Sequence, residues 1–420
     1  MFAPLRGPLK RNPLRNQAFL WPCRIAAQAI HWRVPRKSGN SIDSAAPGQR
    51  QGVRKFSLIS NTCGVENPTE IRRRMSPITR RSGIITHLMH AAEKSSAPIN
   101  FDDIAELAAD DRRAVDDLIA TSLESDVALV SQVSQYIVMS GGKRLRPLVV
   151  LLAARALGYQ GDQHVRAAAI IEFIHTATLL HDDVVDSSSR RRGKDSANTV
   201  FGNQASVLVG DFLYSRAFQM MVDIGDMHIM RILADATNTI AAGEVMQLMN
   251  VHDPETTEDD YRQVIYRKTA RLFEAGSQIA AVLSGQDAAI ESSMADYGRH
   301  LGTAFQLVDD ALDYDASPQE LGKNIGDDLA EGKATLPLIY AMQNCSADER
   351  TIIQNAIIEG GLDQLDRITS IIHTTGALQY TANKAGEAAD LAVAAIGALP
   401  PSEYRQALIQ IAELSVQRRS

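Results

Sequence analysis

Three cysteines in 420 residues, Cys23, Cys63 and Cys345, are too few and too scattered for a disulfide framework. None belongs to a CxxC pair or a Cys/His cluster, so no zinc site is indicated and a reducing compartment is the default. Aromatic residues make up 5% of the chain, which disfavours a β sandwich, and no alternating run long enough for a convincing strand occurs. No repeat of 20 to 50 residues is visible either. Long apolar runs are also missing. The longest in the main body, 167–180, is interrupted by Glu172 and His175 and stops at His181, short of the roughly 20 residues of a membrane span. The sequence therefore reads as a soluble protein without a transmembrane segment.

Acid is scarce at the start of the chain. Residues 1–100 carry 17 basic and 4 acidic side chains, a balance of +13, while the remainder carries −20. An acidic main body argues against a nucleic-acid role, which wants a basic folded surface. Residues 1–98 mix Pro, Gly, Arg and Ser without helical periodicity, hold both tryptophans, Trp21 and Trp32, and read as a disordered basic extension. Three origins compete: a mitochondrial transit peptide ending near Arg54-Lys55-Phe56, a start assigned too far upstream of Met75 or Met89, or a basic nucleic-acid arm.

What is plentiful begins near residue 99, where apolar residues recur at three- and four-residue spacing, as at Val127, Val130, Val133 and Ile137, broken by short Gly- or Pro-bearing loops. The pattern predicts an all-α, single-domain helical bundle over 99–420 around a central cavity. Helices are expected near 102–122, 124–140, 145–157, 163–186, 196–222, 226–249, 257–283, 286–315, 333–342, 346–358, 362–397 and 402–416.

Two aspartate triplets of identical spacing lie inside apolar helical runs: Asp182-Asp183-Val184-Val185-Asp186 and Asp309-Asp310-Ala311-Leu312-Asp313. Residues i and i+4 share a helix face, so Asp182 with Asp186, and Asp309 with Asp313, each form a two-carboxylate claw. Such carboxylates repel unless a cation lies between them, and hard oxygen ligands suit Mg²⁺, which completes its shell with water and phosphate oxygens. Lone Asp-Asp pairs, as at 102–103 or 259–260, are usually solvated helix faces, and those here lack the third aspartate. Complementary charge comes from Gly141-Gly142-Lys143-Arg144-Leu145-Arg146-Pro147 and from Arg190-Arg191-Arg192-Gly193-Lys194. Guanidinium groups hold phosphate with paired hydrogen bonds, while lysine supplies a point charge. Alone, the first cluster is more often a solvated turn than a site. Two claws with two cationic clusters describe a site for two diphosphates, one held through Mg²⁺ and one directly. Apolar helix faces below it would take a hydrocarbon. His181, beside Asp182, is expected to pack or hydrogen-bond rather than bind metal.

These motifs, with Gly210-Asp211-Phe212-Leu213, Gly243-Glu244-Val245-Met246-Gln247, Tyr266-Arg267-Lys268-Thr269-Ala270 and Gly322-Lys323-Asn324-Ile325-Gly326-Asp327-Asp328, resemble the trans-isoprenyl diphosphate synthase family. The likeness runs from about Phe101 to Ser420 and is strongest to bacterial members making an octaprenyl chain for the ubiquinone side chain. It implies the isoprenoid-synthase fold and head-to-tail addition of isopentenyl diphosphate to an allylic diphosphate such as farnesyl diphosphate. By the resemblance, Lys143, Arg146, His175 and Arg192 would bind isopentenyl diphosphate and Arg191 the allylic diphosphate. Asp182, Asp186 and Asp309, supported by Asp183, Asp310 and Asp313, would hold Mg²⁺. Lys268, Thr269, Gln306 and Lys323 would line the reacting end.

The resemblance also implies a homodimer whose product passes to membrane enzymes. The expected compartment is the bacterial cytoplasm, with the mitochondrial matrix as the alternative if 1–56 is a transit peptide. Ala177 lies five residues before Asp182, about 7.5 Å deeper at ~1.5 Å per residue. Short-chain members tend to carry an aromatic there, so a small residue favours a long product; the plain alternative is a packing alanine. A terpene cyclase or head-to-head synthase would lack the second diphosphate clamp. A non-catalytic partner subunit would usually lose one aspartate motif, and other chain lengths, geranylgeranyl to decaprenyl, stay open.

Overall fold

The computed structural model describes residues 100–138, 141–315 and 326–417. The 1–98 extension, both tryptophans, Cys23, Cys63 and Lys323 lie outside the described residues. Seventeen α-helices occur among the described residues, where the periodicity predicts twelve, and the core lies where apolar faces meet.

Helix α5 (Gln163–Val185) is the central rod: Ala167 to Ile171, Phe173, Ile174, Ala177 and Leu180 are all buried, while His175, Thr178 and the last turn face the polar cavity. α4 (Leu145–Ala156) is buried along Leu148 to Ala154 and packs beside it. α1 (Phe101–Glu106), α2 (Ala109–Ser122) and α3 (Ala128–Val138) precede these two. α7 (Asn203–Ile224) and α8 (Met227–Asn250) follow a short α6 (Ala197–Phe201), and Asp226 caps α8 by accepting from the His228 and Ile229 amides at 2.7 and 3.2 Å. α9 (Glu258–Ile265) begins in a Thr257/Asp260 capping box. It runs through one π turn, Tyr266–Ala270, into α10 (Arg271–Leu283). α11 (Ala288–Asp315) is the second long rod. α12 (Asp327–Ala330), α13 (Leu336–Asn344), α14 (Ala347–Glu359), α15 (Leu365–Thr374), α16 (Ala377–Ala395) and α17 (Glu403–Gln417) complete the bundle.

Several expected helices are interrupted. The 102–122 segment parts at Leu107-Ala108, the 196–222 segment at Gly202 (φ 87°) and the 362–397 segment at Thr375-Gly376 (Gly376 φ 76°). At the two glycines the chain takes positive φ, which glycine adopts at little cost and which no helix continues through. The expected 257–283 helix holds its π turn, and 124–140 starts only at Ala128.

One small strand pair was not anticipated. β1 (Arg190–Arg191) and β2 (Lys194–Asp195) form an antiparallel hairpin closed by Arg192 (φ 53°) and Gly193 (φ 76°). Two positive φ values in a two-residue loop are the turn that matches strand twist. The second basic run is therefore a rigid hairpin rather than a loose loop.

Candidate diphosphate and metal site

A cavity of about 940 Å³ opens at the C-terminal ends of α5 and α8, the middle of α9 to α10 and the C-terminal half of α11. Asp182 and Asp186 line it from one side, and Asp309, Asp310 and Asp313 from the other. Arg146, His175, Arg191, Arg192, Lys268, Thr269 and Gln306 line it as well. Two expected residues do not. Asp183 is fully buried behind the wall, and Lys143 is exposed, its ammonium 6.0 Å from the Phe101 ring centre.

Asp183 faces inward because it holds Arg191, whose Nε and Nη2 both lie 2.7 Å from its Oδ1. Burial raises the Asp183 pKa, offset by that arginine. The hairpin thus hangs from the middle residue of the first triplet, and Arg191 is aimed at the cavity. Arg192 reaches back to the Gly141 carbonyl oxygen, and a Cβ on Gly142 would lie 2.6 Å from its guanidinium. Gly142 (φ 131°) is the gap through which the two cationic clusters join.

Arg146 lies with its guanidinium carbon 4.6 Å from the Phe273 ring centre, and its Nη1 is 3.2 Å from His175 Nε2. Burial, then the positive charges of Arg146, Arg192 and Arg191, hold the His175 pKa well below its usual value, so the imidazole is neutral. Its Nε2 accepts from Arg146, which leaves the proton on Nδ1. Burial lowers Arg146 itself to about 10, still charged at neutral pH. Arg146 Nε is buried without a hydrogen-bond partner, a donor left over for an anion.

On the opposite wall a relay of hydrogen bonds fixes the second triplet. Thr269 Oγ1 donates to Gln306 Oε1 at 2.8 Å, Gln306 Nε2 donates to Asp310 Oδ1 at 2.8 Å, and the Tyr261 hydroxyl donates to Asp310 Oδ2 at 2.5 Å. Burial and then the charge of Asp328 push Asp310 up to about 8, against the two donors. With both oxygens engaged, Asp310 braces Gln306 and Thr269, while Asp309 and Asp313, at i and i+4, share the helix face of a claw. Asp313 Oδ2 also accepts the Asp328 amide at 3.1 Å.

Hard-cation chemistry fits these carboxylates. The first claw already faces two cations of the chain's own, Lys268 Nζ at 3.5 Å from Asp182 and Lys333 Nζ at 3.1 Å from Asp186. Among the described residues no three His, Cys, Asp or Glu side chains gather as a ready-made metal cluster. His181 is not part of the claw. It stacks on Tyr214, with Nε2 3.2 Å from the Val207 carbonyl, and Gly210 leaves it room, since a Cβ there would lie 2.2 Å away.

Sequence reasoning passed over Glu244, Tyr261, Glu331 and Lys333. Glu244 follows Gly243, where an added Cβ would lie 2.7 Å from Arg267 Cβ, so the absence of a side chain seats the π turn against α8. Glu244 then holds Lys268 at 2.7 Å. Its pKa is pushed up to about 7, by burial first and by Asp182 next, against Lys268. Lys333 sits in a loop pinned by His252, whose amide donates to the Gly332 carbonyl at 2.8 Å. Burial works against its charge, but Asp186 and Glu331 outweigh that and raise its pKa.

Two acidic claws, a buried arginine with a spare donor and an arginine hairpin surround one cavity, a set of groups suited to anions held directly and through a divalent cation. Comparison with known proteins places it. Residues 127–374 match the polyprenyl synthetase family model. The chain is 53% identical over 321 residues to octaprenyl diphosphate synthase of Escherichia coli K12, covering 76% of this chain and 99% of that protein. It is 47% identical to an all-trans-nonaprenyl-diphosphate synthase of Rhodobacter capsulatus, over 75% of this chain and 97% of that one. A solved polyprenyl synthase of Caulobacter crescentus, complexed with calcium and isoprenyl diphosphate, superposes with a TM-score of 0.75 at 44% identity, covering 78% of this chain and all of that one. The chain belongs to the polyprenyl synthetase family. Its fold is the all-α isoprenoid-synthase fold, and its activity is the family's prenyl transfer between isoprenyl diphosphates, trans-polyprenyl diphosphate synthesis.

Proposed function

We propose that this enzyme adds isopentenyl diphosphate units head to tail to an allylic primer such as farnesyl diphosphate, with Mg²⁺, and stops at octaprenyl diphosphate, destined for a quinone side chain. The observation that carries the reading is the single cavity lined by both aspartate claws and by Arg146, Arg191 and Arg192. Asp182, Asp186 and Asp309, with Asp313, would hold Mg²⁺. When bound, the metal neutralises charge on the departing diphosphate as the allylic C–O bond breaks. Arg146, neutral His175 and Arg192 take the diphosphate of isopentenyl diphosphate, Arg146 offering its spare Nε–H. Arg191, fixed by Asp183, takes the allylic diphosphate. Lys268, and Thr269 oriented through Gln306 and Asp310, stand at the reacting end, where Lys268 balances negative charge on the leaving group. The double bond of isopentenyl diphosphate attacks the allylic carbon, a proton is lost, and the product is an allylic diphosphate five carbons longer. The reaction needs no side-chain nucleophile, and apolar walls keep water from the cation. For Lys323 and Lys143 the same roles rest on the resemblance alone.

An octaprenyl product is supported by the Escherichia coli relative, and the Rhodobacter relative makes nonaprenyl its competitor; Ala177, wholly buried, is not among the residues that line the cavity. We read 99–420 as the catalytic domain and 1–98 as an extension, supported by matches that cover nearly all of the relative but about three-quarters of this chain. A homodimer is supported by exposed apolar side chains on α7 and α8, among them Leu208, Val222, Leu248 and Met249. Among the described residues no helix is long and apolar enough to cross a membrane, and the bacterial cytoplasm is the compartment we propose. The test is incubation of purified protein with Mg²⁺, farnesyl diphosphate and labelled isopentenyl diphosphate, with the products sized by chromatography. A 40-carbon product is expected; a folded protein that elongates nothing would refute the reading.

A further inference from the structure

Two lysines in the cavity repeat one pattern. Lys268 lies 3.5 Å from Asp182 and 2.7 Å from Glu244. Lys333 lies 3.1 Å from Asp186 and also pairs with Glu331. Each outer carboxylate of the first motif thus faces an ammonium, and each ammonium is shared with a glutamate from outside both motifs. All six side chains are less than a third exposed, so bulk water screens them only in part.

Charge balance gives the glutamates a task. Asp182 and Asp186 with Lys268 and Lys333 alone would sum to zero, and a neutral cluster has little attraction for a dication. With Glu244 and Glu331 ionised, the form that the neighbouring ammonium favours in each, the formal charge is −2. We propose that Glu244 and Glu331 are positioning residues that hold Lys268 and Lys333 and take up their charge, so that Asp182 and Asp186 keep two negative charges for a divalent cation. The inference rests on the reading of Asp182 and Asp186 as metal holders and extends it to residues outside the aspartate motifs. The geometry supports it in two further ways. Glu244 Oε1 is buried with no hydrogen-bond partner while the other oxygen holds Lys268, so the carboxylate is not consumed by the scaffold. His252 fixes the Gly332-Lys333 loop, and a Cβ on Gly332 would lie 2.3 Å from its ring, so Lys333 is delivered to Asp186 by the backbone. With a cation held by Asp182 and Asp186, Glu244 and Glu331 would remain as partners for Lys268 and Lys333.

The experiment measures Mg²⁺ affinity by calorimetry on the full-length protein, with an unreactive allylic thiolodiphosphate present, and separately the rise in melting temperature that Mg²⁺ produces without substrate. E244Q and E331Q are each expected to weaken Mg²⁺ binding by about tenfold or more, the size typical of removing a partner just outside a metal's ligands, and the double variant by more. E244D and E331D, which keep the charge, are expected to stay close to the parent. Unchanged or tighter Mg²⁺ binding in the glutamine variants would overturn the proposal. So would aspartate variants that lose as much as the glutamine ones, because packing rather than charge would then be what matters. D182N separates this inference from the one beneath it. If D182N binds Mg²⁺ normally, the assignment of the claw fails and this proposal falls with it. If only D182N loses metal, the claw stands and the glutamates do not set its charge.

Discussion

Asp310→Asn removes the titration of the middle residue of the second triplet. In the folded chain Asp310 keeps its proton up to about 8, because it is buried near Asp328; in an unfolded chain it loses it near 3.8. Between those values the folded state binds more protons, so this group's contribution is complete below pH 3.8, declines as pH rises, and is gone above about 8. Each pH unit inside the window changes stability by ~1.4 kcal/mol, so going from pH 5.5 to 7.5 removes on the order of 3 kcal/mol. Asparagine offers one acceptor and never ionises. In chelator, with unfolding by urea followed through helical circular dichroism, the parent should lose about 3 kcal/mol more than D310N between those two pH values. Glu244 titrates in the same direction in both proteins and cancels in the comparison. Equal losses would mean that Asp310 is already ionised in the folded protein at pH 5.5, and that burial and Asp328 do not outweigh the Tyr261 and Gln306 donors.

Ala177→Phe should shorten the product distribution seen by chromatography at an overpacking cost of about 1–3 kcal/mol, since Ala177 is 0% exposed; unchanged product length would leave it a packing alanine. Gly142→Ala should raise the KM for isopentenyl diphosphate by about tenfold to a hundredfold, with the allylic KM nearly unaltered, because the new methyl meets the Arg192 guanidinium. Removal of divalent cations with EDTA should abolish elongation and Mg²⁺ should restore it; activity persisting in chelator would exclude the metal from the mechanism.

Much of this was legible in the sequence because the signals are local. A 3.6-residue period marks α5 and α11, and i, i+4 spacing puts Asp182 with Asp186 on one face without any knowledge of the fold. The cationic clusters were equally visible. What escaped depends on segments far apart in the chain: Lys268 meets Glu244 across 24 residues, Tyr261 meets Asp310 across 49, and Lys333 meets Asp186 across 147. No spacing rule announces such pairs. The breaks at Gly202 and Gly376 were readable in principle, but glycine inside a helical pattern is tolerated often enough that only the tertiary path decides. Charge alone could not distinguish outward Lys143 from inward Arg146, because two positive-φ glycines just before Lys143 and Arg144 (φ 46°) just after it turn the loop.

The π turn at Tyr266–Ala270 has an evolutionary consequence. Such a turn is an α-helix carrying one surplus residue, so α9 and α10 run out of phase by about 100° across it. Deleting any one residue there would heal the helix and let both halves relax. The same deletion would rotate Lys268 and Thr269 relative to Tyr261 and α8, separating groups that now converge. Smoothing the helix would therefore carry off the contacts of Lys268 with Glu244 and of Thr269 with Gln306, so a shorter, regular helix that keeps them is not one deletion away from this chain.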